Sequence, residues 1–220
     1  MEYDQNVDLP KYSLEEILEN HIAIAGKIND KIRPLPLFNT YLKQGYYPYY
    51  KESKKFYLSK LENTLNLTLE TDLPFVERIE ISSIRNIKKL LWIIAQSAPF
   101  TPNTTYLARN LDVGRVSILN FLTILERGGN YQSSAKSVKQ HKGIGNLRET
   151  FCYNQLNVIG KVTSGGILDF KVDNKYTIEV GGKNKGHEQI MGIQNTYLAL
   201  DNLEYGHHNE IPLWLLGFLY

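Results

Sequence analysis

Segment 166–182 constrains the fold of this chain more than any other stretch. It contains two runs of alternating apolar residues, "GILDFKV" and "KYTIEVGG", on either side of a short polar stretch. Alternation with a period of two is typical of a β-strand that buries one face. If both apolar faces lie on one side, Val172 must pair with Tyr176, and residues 173–175 form a common three-residue hairpin loop. The segment therefore predicts an antiparallel hairpin in one register.

That register brings two carboxylates together. It places Asp169 directly opposite Glu179 on the other face, with Cβ atoms about 4.5–5.5 Å apart. Like charges at this separation destabilise a sheet unless something compensates them. Mg²⁺ or Mn²⁺ would compensate, because both prefer hard oxygen ligands and keep positions for water and phosphate. The alternative is that each carboxylate pairs with a nearby lysine, such as Lys171 or Lys183, on a solvated face.

Two further residues are candidates for the same site. Glu149 lies on a helix predicted just before the sheet and could be a third acidic metal ligand. Lys183 follows the second strand and could stabilise negative charge on a phosphate or orient an attacking water. The candidate catalytic residues are thus Asp169, Glu179 and Lys183, with Asp169, Glu179 and Glu149 as metal ligands.

The rest of segment 146–220 predicts an α/β layer. "NLRETFCYNQLNVI" predicts a helix, "GKVT" an additional strand, and "GHEQIMGIQNTYLALD" a second helix. "IPLWLLGFLY" is apolar on both faces, which favours a strand in the centre of the sheet. The fold class expected for the chain is α/β (α+β), with helices preceding this layer.

Residues 1–82 are expected to form a helical packing region. "SLEEILEN" contains a capping box, in which Ser13 caps a helix and Glu16 follows three residues later. A second helix follows the prolines of "RPLPLFNTYLKQG" and ends at Gly45. A third has leucines at helical spacing and is predicted to stop near Pro74.

Residues 83–130 predict a winged-helix-like helix-turn-helix. An amphipathic helix precedes "TPNTTYLARNLDVGRVSILNFLTILERGG", which predicts a helix, a tight turn and a second helix. The second helix could enter a DNA groove with Arg115, Ser117 and Asn120. The same unit could equally serve only as a protein-protein module.

Residues 131–145 predict a polar, basic linker between these regions. Lys136 and Lys139 could contact phosphates from this segment, and the alternative is a linker that is simply solvated.

Overall composition restricts the function further. The formal net charge of this 220-residue chain is +2, so nucleic-acid binding would depend on a local basic patch. A single cysteine fits a reducing compartment and hence a cytoplasmic protein. No apolar run approaches the roughly 20 residues of a membrane span, so no membrane partner is expected. No GxxxxGK[ST] motif is present, so ATP binding by this chain is not expected.

The candidate site resembles the restriction-endonuclease-like nuclease core known as PD-(D/E)XK. The likeness rests on the order of Glu149, Asp169, Glu179 and Lys183, with Gln189 as a supporting residue on a following helix. That motif has its lysine two residues after the acid, where this chain has Gly181. Lys183 is about 13 Å from Glu179 along a straight strand, so a bend at the two glycines is needed to bring it back.

Nearly the whole chain is similar to the C-terminal part of a prokaryotic AAA-type ATPase family. The similar segments include "YSLEEILENH", "LRETFCYNQL", "EVGGKNK" and "IPLWLLGFLY". Members of that family carry an N-terminal P-loop domain, then a lid, a helix-turn-helix and a C-terminal domain of unknown function. The resemblance implies association with DNA and with an ATPase domain or partner, and a nuclease-like domain that is active or vestigial. The alternative is a non-catalytic module that uses the nuclease fold for assembly or docking.

Overall fold

The computed structural model describes residues 7–45, 47, 49–96, 103–127, 144–165, 168–186, 188, 190 and 192–220. These residues form a mixed α/β structure, in agreement with the expected fold class. Its helices are α1 (Leu14–Asn29), α2 (Pro34–Gln44), α3 (Tyr49–Glu52), α4 (Tyr57–Leu67), α5 (Leu73–Glu77), α6 (Ile81–Gln96), α7 (Thr104–Leu111), α8 (Arg115–Arg127) and α9 (Ile144–Ile159). None of the described helices is long and apolar enough to cross a membrane.

The strands of the described chain form one mixed sheet in the order β1-β2-β3-β4-β5. β1 and β2 are antiparallel, as are β2 and β3, whereas β3, β4 and β5 run parallel. The strands are β1 (Val162–Gly165), β2 (Leu168–Val172), β3 (Tyr176–Gly182), β4 (Thr196–Asp201) and β5 (Glu210–Pro212).

The predicted hairpin register is confirmed. Val172 pairs with Tyr176, and Phe170 pairs with Ile178. The loop between them places Asp173 and Asn174 at φ 48° and 56°, in the left-handed region that short polar residues tolerate best. The "GKVT" segment also forms a strand as predicted, because β1 pairs with the outer edge of β2.

The helix predicted across 186–201 is wrong. Gly192 and Asn195 have φ of 77° and 54°, which interrupts any helix, and β4 follows directly. The β4 sequence "TYLALD" pairs in parallel with β3 over its whole length. Pairing along a buried sheet therefore decides the conformation of a segment whose own pattern was ambiguous.

The central strand predicted for "IPLWLLGFLY" is also wrong. Only Glu210–Pro212 is a strand, and it lies at the edge of the sheet. After Pro212 the chain forms a 3₁₀-helix over Leu213–Phe218, in which Trp214 and its apolar neighbours are buried. The segment is apolar throughout because it is packed on every side, and not because it lies between two strands.

The chain forms two compact units, with boundaries that differ from the predicted 1–82, 83–130, 131–145 and 146–220. The α/β unit combines the described residues of 7–45 with those of 144–220. Its core joins Ile17 and Ile28 of α1 to Leu156 of α9 and Trp214 of the 3₁₀-helix. Segment 7–45 was assigned to a separate helical region because sequence patterns do not show which distant surface a helix covers. The Ser13–Glu16 capping box and the C-cap at Gly45 (φ 75°) are confirmed.

The helical unit lies between 47 and 127. Its core contains Leu90 of α6, Leu107 of α7 and Ile118 of α8, among others. Asp112, at φ 53°, makes the tight turn between α7 and α8, so the predicted helix, turn and helix are present. The stop predicted near Pro74 is wrong, since a π-helical turn (Thr68–Asp72) leads into α5 and Pro74 occupies its tolerant first turn.

Candidate functional site

β2 and β3 separate at Asp169 and Glu179. Their paired register ends at Phe170 and Ile178. Beyond it, the Asp169 N–H donates to Glu179 Oε2 at 2.9 Å, and the Val180 N–H donates to Asp169 Oδ2 at 2.8 Å. Each carboxylate therefore binds the backbone of the opposite strand. The two side chains are thus linked through the backbones of neighbouring strands, just beyond the last residue pair of the register.

Lys185 reaches this pair of carboxylates by folding back over β3. The Lys185 N–H donates to Gly182 O at 2.9 Å, which reverses the chain after the strand. Its ammonium forms an ion pair with Glu179 Oε1 and donates to Val180 O at 2.9 Å. A Cβ at Gly181 would lie only 2.3 Å from Lys185 Cδ, so the glycine provides the space that Lys185 occupies.

The structure thus brings Lys185, and not Lys183, to the carboxylates. Lys183 is exposed, and its side chain makes no hydrogen bond or ion pair with the described residues. Sequence reasoning missed Lys185 because it assumed that only a bend within the strand could return a lysine. The signal was the glycine at 181, since a position that cannot hold a side chain often marks a close approach of another group.

Glu149 approaches the same carboxylates from α9. Its residue is only 5% exposed, and Oε2 is buried without a hydrogen-bond partner among the described residues. Burial raises the pKa of Glu149 to about 7. The negative charge of Asp169 and, less strongly, that of Glu179 also raise this pKa, while the Lys185 ammonium lowers it. Hydrogen bonds and an ion pair join Asp169, Glu179 and Lys185, and their charges act on the pKa of Glu149.

Cys152 lies one helical turn after Glu149 and is completely buried. Burial raises the pKa of its thiol, and Asp169 and Glu149 raise it further. The thiol is therefore protonated at neutral pH, which excludes a nucleophilic thiolate at this position.

The side chains of the cluster are three acidic residues and one lysine. Glu149, Asp169 and Glu179 offer carboxyl oxygens, which are the donors that hard divalent cations prefer. The buried Glu149 Oε2 has no hydrogen-bond donor among the described residues, and burying a polar atom without a partner is costly. Among the described residues, however, no three acidic, histidine or cysteine side chains are already arranged around a common metal position. In this arrangement Lys185 is the cation bound to Glu179.

A second ion pair lies beside the cluster at the end of the parallel strands. Arg148, adjacent to Glu149 in α9, donates from Nε to Asp201 Oδ2 at 2.7 Å. The Asp201 side chain is completely buried and that of Arg148 is 15% exposed. Sequence analysis did not identify either residue, because the contact joins positions 53 residues apart.

The other predicted residues lie elsewhere. Gln189, Lys136 and Lys139 fall outside the residues that the structure describes. In α8 of the helical unit, Arg115 and Asn120 are exposed and Ser117 is half-buried. Arg115 Nη2 donates to Thr104 Oγ1 at 3.5 Å, and Val116 is 71% exposed on the same helix. The outer surface of α8 is therefore mixed in character, with polar and apolar side chains side by side.

By its described structure this chain is a mixed α/β protein with a buried acidic cluster and two cations on its α/β unit. No family model, no curated protein and no solved structure matches it. The likeness to the nuclease core and to the AAA-type ATPase family therefore depends on the sequence motifs quoted above.

Proposed function

We propose that the α/β unit is a divalent-metal-dependent nuclease centre acting on DNA. The observation that carries the proposal is the convergence of Glu149, Asp169, Glu179 and Lys185 where β2 and β3 separate. Several acidic oxygens beside a lysine are the groups that metal-assisted phosphodiester hydrolysis requires. The motif resemblance supports the same chemistry.

The three acidic residues would hold the metal ion. The backbone N–H groups fix the orientation of the Asp169 and Glu179 carboxylates, so little side-chain freedom remains to be lost on binding. Glu149 would be the third ligand, through the oxygen that has no partner among the described residues. When bound, Mg²⁺ or Mn²⁺ would supply an activated water and stabilise charge on the phosphate oxygens.

Lys185 would take the role that the sequence suggested for Lys183. Its ammonium has three N–H donors and contacts Glu179 at the site itself. A cation fixed there can stabilise the negative charge that develops on a phosphate during hydrolysis. The space above Gly181 allows this lysine to reach the site although it follows Glu179 by six residues.

We further propose that the chain acts together with an AAA-type ATPase domain or partner. The sequence resemblance supports this. The exposed Arg115 and Asn120 of α8 support a DNA contact by the helical unit.

A non-catalytic assembly module is the second candidate, and one observation favours it. Lys185 already neutralises Glu179, and backbone N–H groups bind both Asp169 and Glu179. The two strand carboxylates can therefore be stable without a metal ion, as they would be in a domain that only docks.

Cleavage of supercoiled plasmid by the full chain in Mn²⁺, with EDTA as the blank, separates these candidates. The wild type should nick the plasmid, and Asp169→Asn should reduce the rate at least about a hundredfold, since it weakens a metal ligand. Lys185→Met should reduce it by a factor of about 10²–10³. Lys183→Met is the matched control, two residues away and exposed, and should retain the wild-type rate.

Calorimetric titration with Mn²⁺ completes the test. Binding to the wild type that is lost in Asp169→Asn supports the nuclease centre. If neither cleavage nor Mn²⁺ binding occurs with the wild type, the assembly module is the correct interpretation. Equal cleavage rates for the wild type and Asp169→Asn would remove this site from the reaction.

A further inference from the structure

Arg148 is held in a fixed orientation at the carboxyl ends of two parallel strands. Gly182 of β3 and Asp201 of β4 are the last paired residues of these strands. Asp201 Oδ2 accepts from Arg148 Nε at 2.7 Å, and Asp201 Oδ1 accepts from the Asn202 N–H at 2.7 Å. Both oxygens of this buried carboxylate are thus satisfied, and one of them is used to orient the guanidinium group.

The outer edge of the guanidinium group remains available. Arg148 uses only Nε, and its Nη1 and Nη2 have no partner among the described residues. The buried polar atoms without a hydrogen-bond partner do not include Nη1 or Nη2. Both nitrogens are therefore accessible to solvent. A part-exposed guanidinium that is anchored through Nε offers two parallel N–H donors, which is the geometry that binds phosphate oxygens in pairs.

Gly182 allows the guanidinium group to lie close to the strand end. A Cβ at this position would be 3.3 Å from Arg148 Nη1, so a larger side chain would cover the donor edge. Ligands of parallel α/β sheets bind outside the carboxyl ends of the strands, which is where this edge lies. Gly182 follows Glu179 by three residues, so the Cα atoms of these two residues are about 10 Å apart along β3.

We propose that Arg148, positioned by Asp201, binds a phosphate of the nucleic-acid strand next to the one that is cleaved. The proposal rests on the nuclease function and identifies a subsite of it. Arg148 Nε is bound to Asp201 and to none of the three proposed metal ligands, so this phosphate subsite is distinct from the metal site. Arg148 therefore contributes to binding and register of the substrate, and its effect does not require the metal ion.

The test is binding of a fluorescein-labelled single-stranded oligonucleotide to the full chain in EDTA, across a series of chloride concentrations. Arg148→Gln should weaken binding about ten- to a hundredfold, as expected for loss of a charged hydrogen-bonding pair. It should also reduce the slope of log Kd against log salt by about 0.7, the value for one phosphate contact on a single strand. Lys161→Gln is the control, since it removes one exposed charge beside the hairpin-loop residue Asp173, at the other end of β2.

Two further variants separate binding from folding. Arg148→Gln leaves Asp201 buried without its partner, whereas Arg148→Gln with Asp201→Asn removes both charges and should recover thermal stability. Oligonucleotide binding should remain weak in that double variant. If the double variant regained oligonucleotide binding as well as stability, the proposal would be overturned. Arg148 would then affect binding only because it stabilises the folded protein. Asp201→Asn alone should weaken binding several-fold with the salt slope unchanged, since it leaves the arginine charge in place.

Competition by inorganic phosphate tests whether Arg148 binds a phosphate of a nucleic-acid strand or free phosphate. At matched ionic strength, phosphate should compete only weakly with the oligonucleotide on the wild type and not at all on Arg148→Gln. Competition by free phosphate as strong as that by unlabelled oligonucleotide would overturn the strand-phosphate assignment. The assignment would also be overturned if Arg148→Gln bound the oligonucleotide with the affinity and the salt slope of the wild type. The proposed function has its own readouts in cleavage and Mn²⁺ binding, so the two can fail separately.

Discussion

The surroundings of Glu149 destabilise the ionised form of its carboxyl group. It is nearly completely buried, one of its oxygens has no donor among the described residues, and Asp169 and Glu179 add negative charge nearby. Its pKa of about 7 means that near neutral pH a substantial fraction of the molecules carries a proton at this position. Binding of a divalent cation would reverse this preference, because the ion stabilises the carboxylate.

Replacing Glu149 by glutamine should remove a pH dependence of stability in EDTA. The folded-state pKa of about 7 is above the ordinary value of 4.5, so the folded state binds more protons between these values. Wild-type stability should therefore fall as pH rises from about 4.5 to 7 and be lowest above that window. The shift corresponds to at most about 3 kcal/mol. Urea unfolding should show Glu149→Gln gaining stability over the wild type at pH 8 but not at pH 4.5.

Glu204→Gln is the control for this measurement, because it makes the same change at an exposed position of the same unit. Its difference from the wild type should be the same at both pH values. A constant difference for Glu149→Gln as well would show that folding does not shift the pKa of Glu149.

Some residues of the cluster could be predicted from sequence and others could not. Asp169 and Glu179 followed from strand alternation, because one hairpin register fixes the face of every side chain. Lys185 depends on a reversal of the chain after β3, and Arg148 depends on where α9 packs against the sheet. Gly181 was the one local signal for Lys185, whereas no local pattern indicates the position of Arg148.

At the scale of secondary-structure elements, the turn after β3 and the glycine beneath it act together. The turn returns Lys185 across the strand, and Gly181 leaves the space that its side chain fills. The contact begins at the Cβ of Lys185, which is 2.8 Å from the position of an added Cβ. The Cβ of Lys185 is bonded to the backbone, so it cannot move away from position 181 unless the backbone of the turn moves too.

Gly181→Ala should therefore disrupt the site through the lysine. We expect loss of the Lys185–Glu179 ion pair, a decrease of about 1–3 kcal/mol in the free energy of unfolding, and nuclease activity as low as that of Lys185→Met. Gly186→Ala is the matched control five residues later, where an added Cβ would meet nothing within 4 Å. Urea unfolding and plasmid nicking on both variants make the measurement. Equal behaviour of the two variants would contradict the packing of Lys185 over Gly181.

The elements predicted correctly are those whose local signals agree with their packing. The Ser13 capping box, the glycine after α2 and the β2–β3 hairpin each carry their own start, stop or register signal. The two wrong elements lie near the C-terminus, where runs such as "TYLAL" and "PLWLL" contain apolar residues that a helix, a strand or a 3₁₀-helix could each bury. Parallel pairing with β3 and burial on all sides decided between them.

At the scale of the whole molecule, the α/β unit consists of two distant chain segments. Ile17 of α1 is completely buried in the same core as Leu156 and Trp214. The Tyr12 N–H donates to Phe218 O at 3.0 Å, and the Tyr220 N–H donates to Tyr12 O at 3.1 Å. The first helix is therefore an integral part of the unit that carries the site.

Trp214 offers a direct test of this organisation. In a Trp92→Phe background, Trp214 is the only tryptophan, and its fluorescence reports on the α/β unit. Ile17→Ala should lower the stability of the Trp214 transition by about 2–5 kcal/mol, because it creates a cavity in that core. Ile22→Ala, on the exposed side of α1 at 54% exposure, should change it by less than about 0.5 kcal/mol. If Ile17→Ala left the Trp214 unfolding transition unchanged, α1 would not belong to the α/β core. The predicted boundary at residue 82 would then be the better description.

The insertion of the helical unit between the two segments has a consequence for synthesis of the protein. Ile17 and Trp214 contact one core but are separated by about 200 residues of translation, which takes about 10–40 s at ordinary elongation rates. During this time the apolar side of α1 has no sheet to cover it, while the helical unit has all of its own sequence and can fold. A nascent chain released before the C-terminal segment is made would thus expose the apolar side of α1, the kind of surface that chaperones bind.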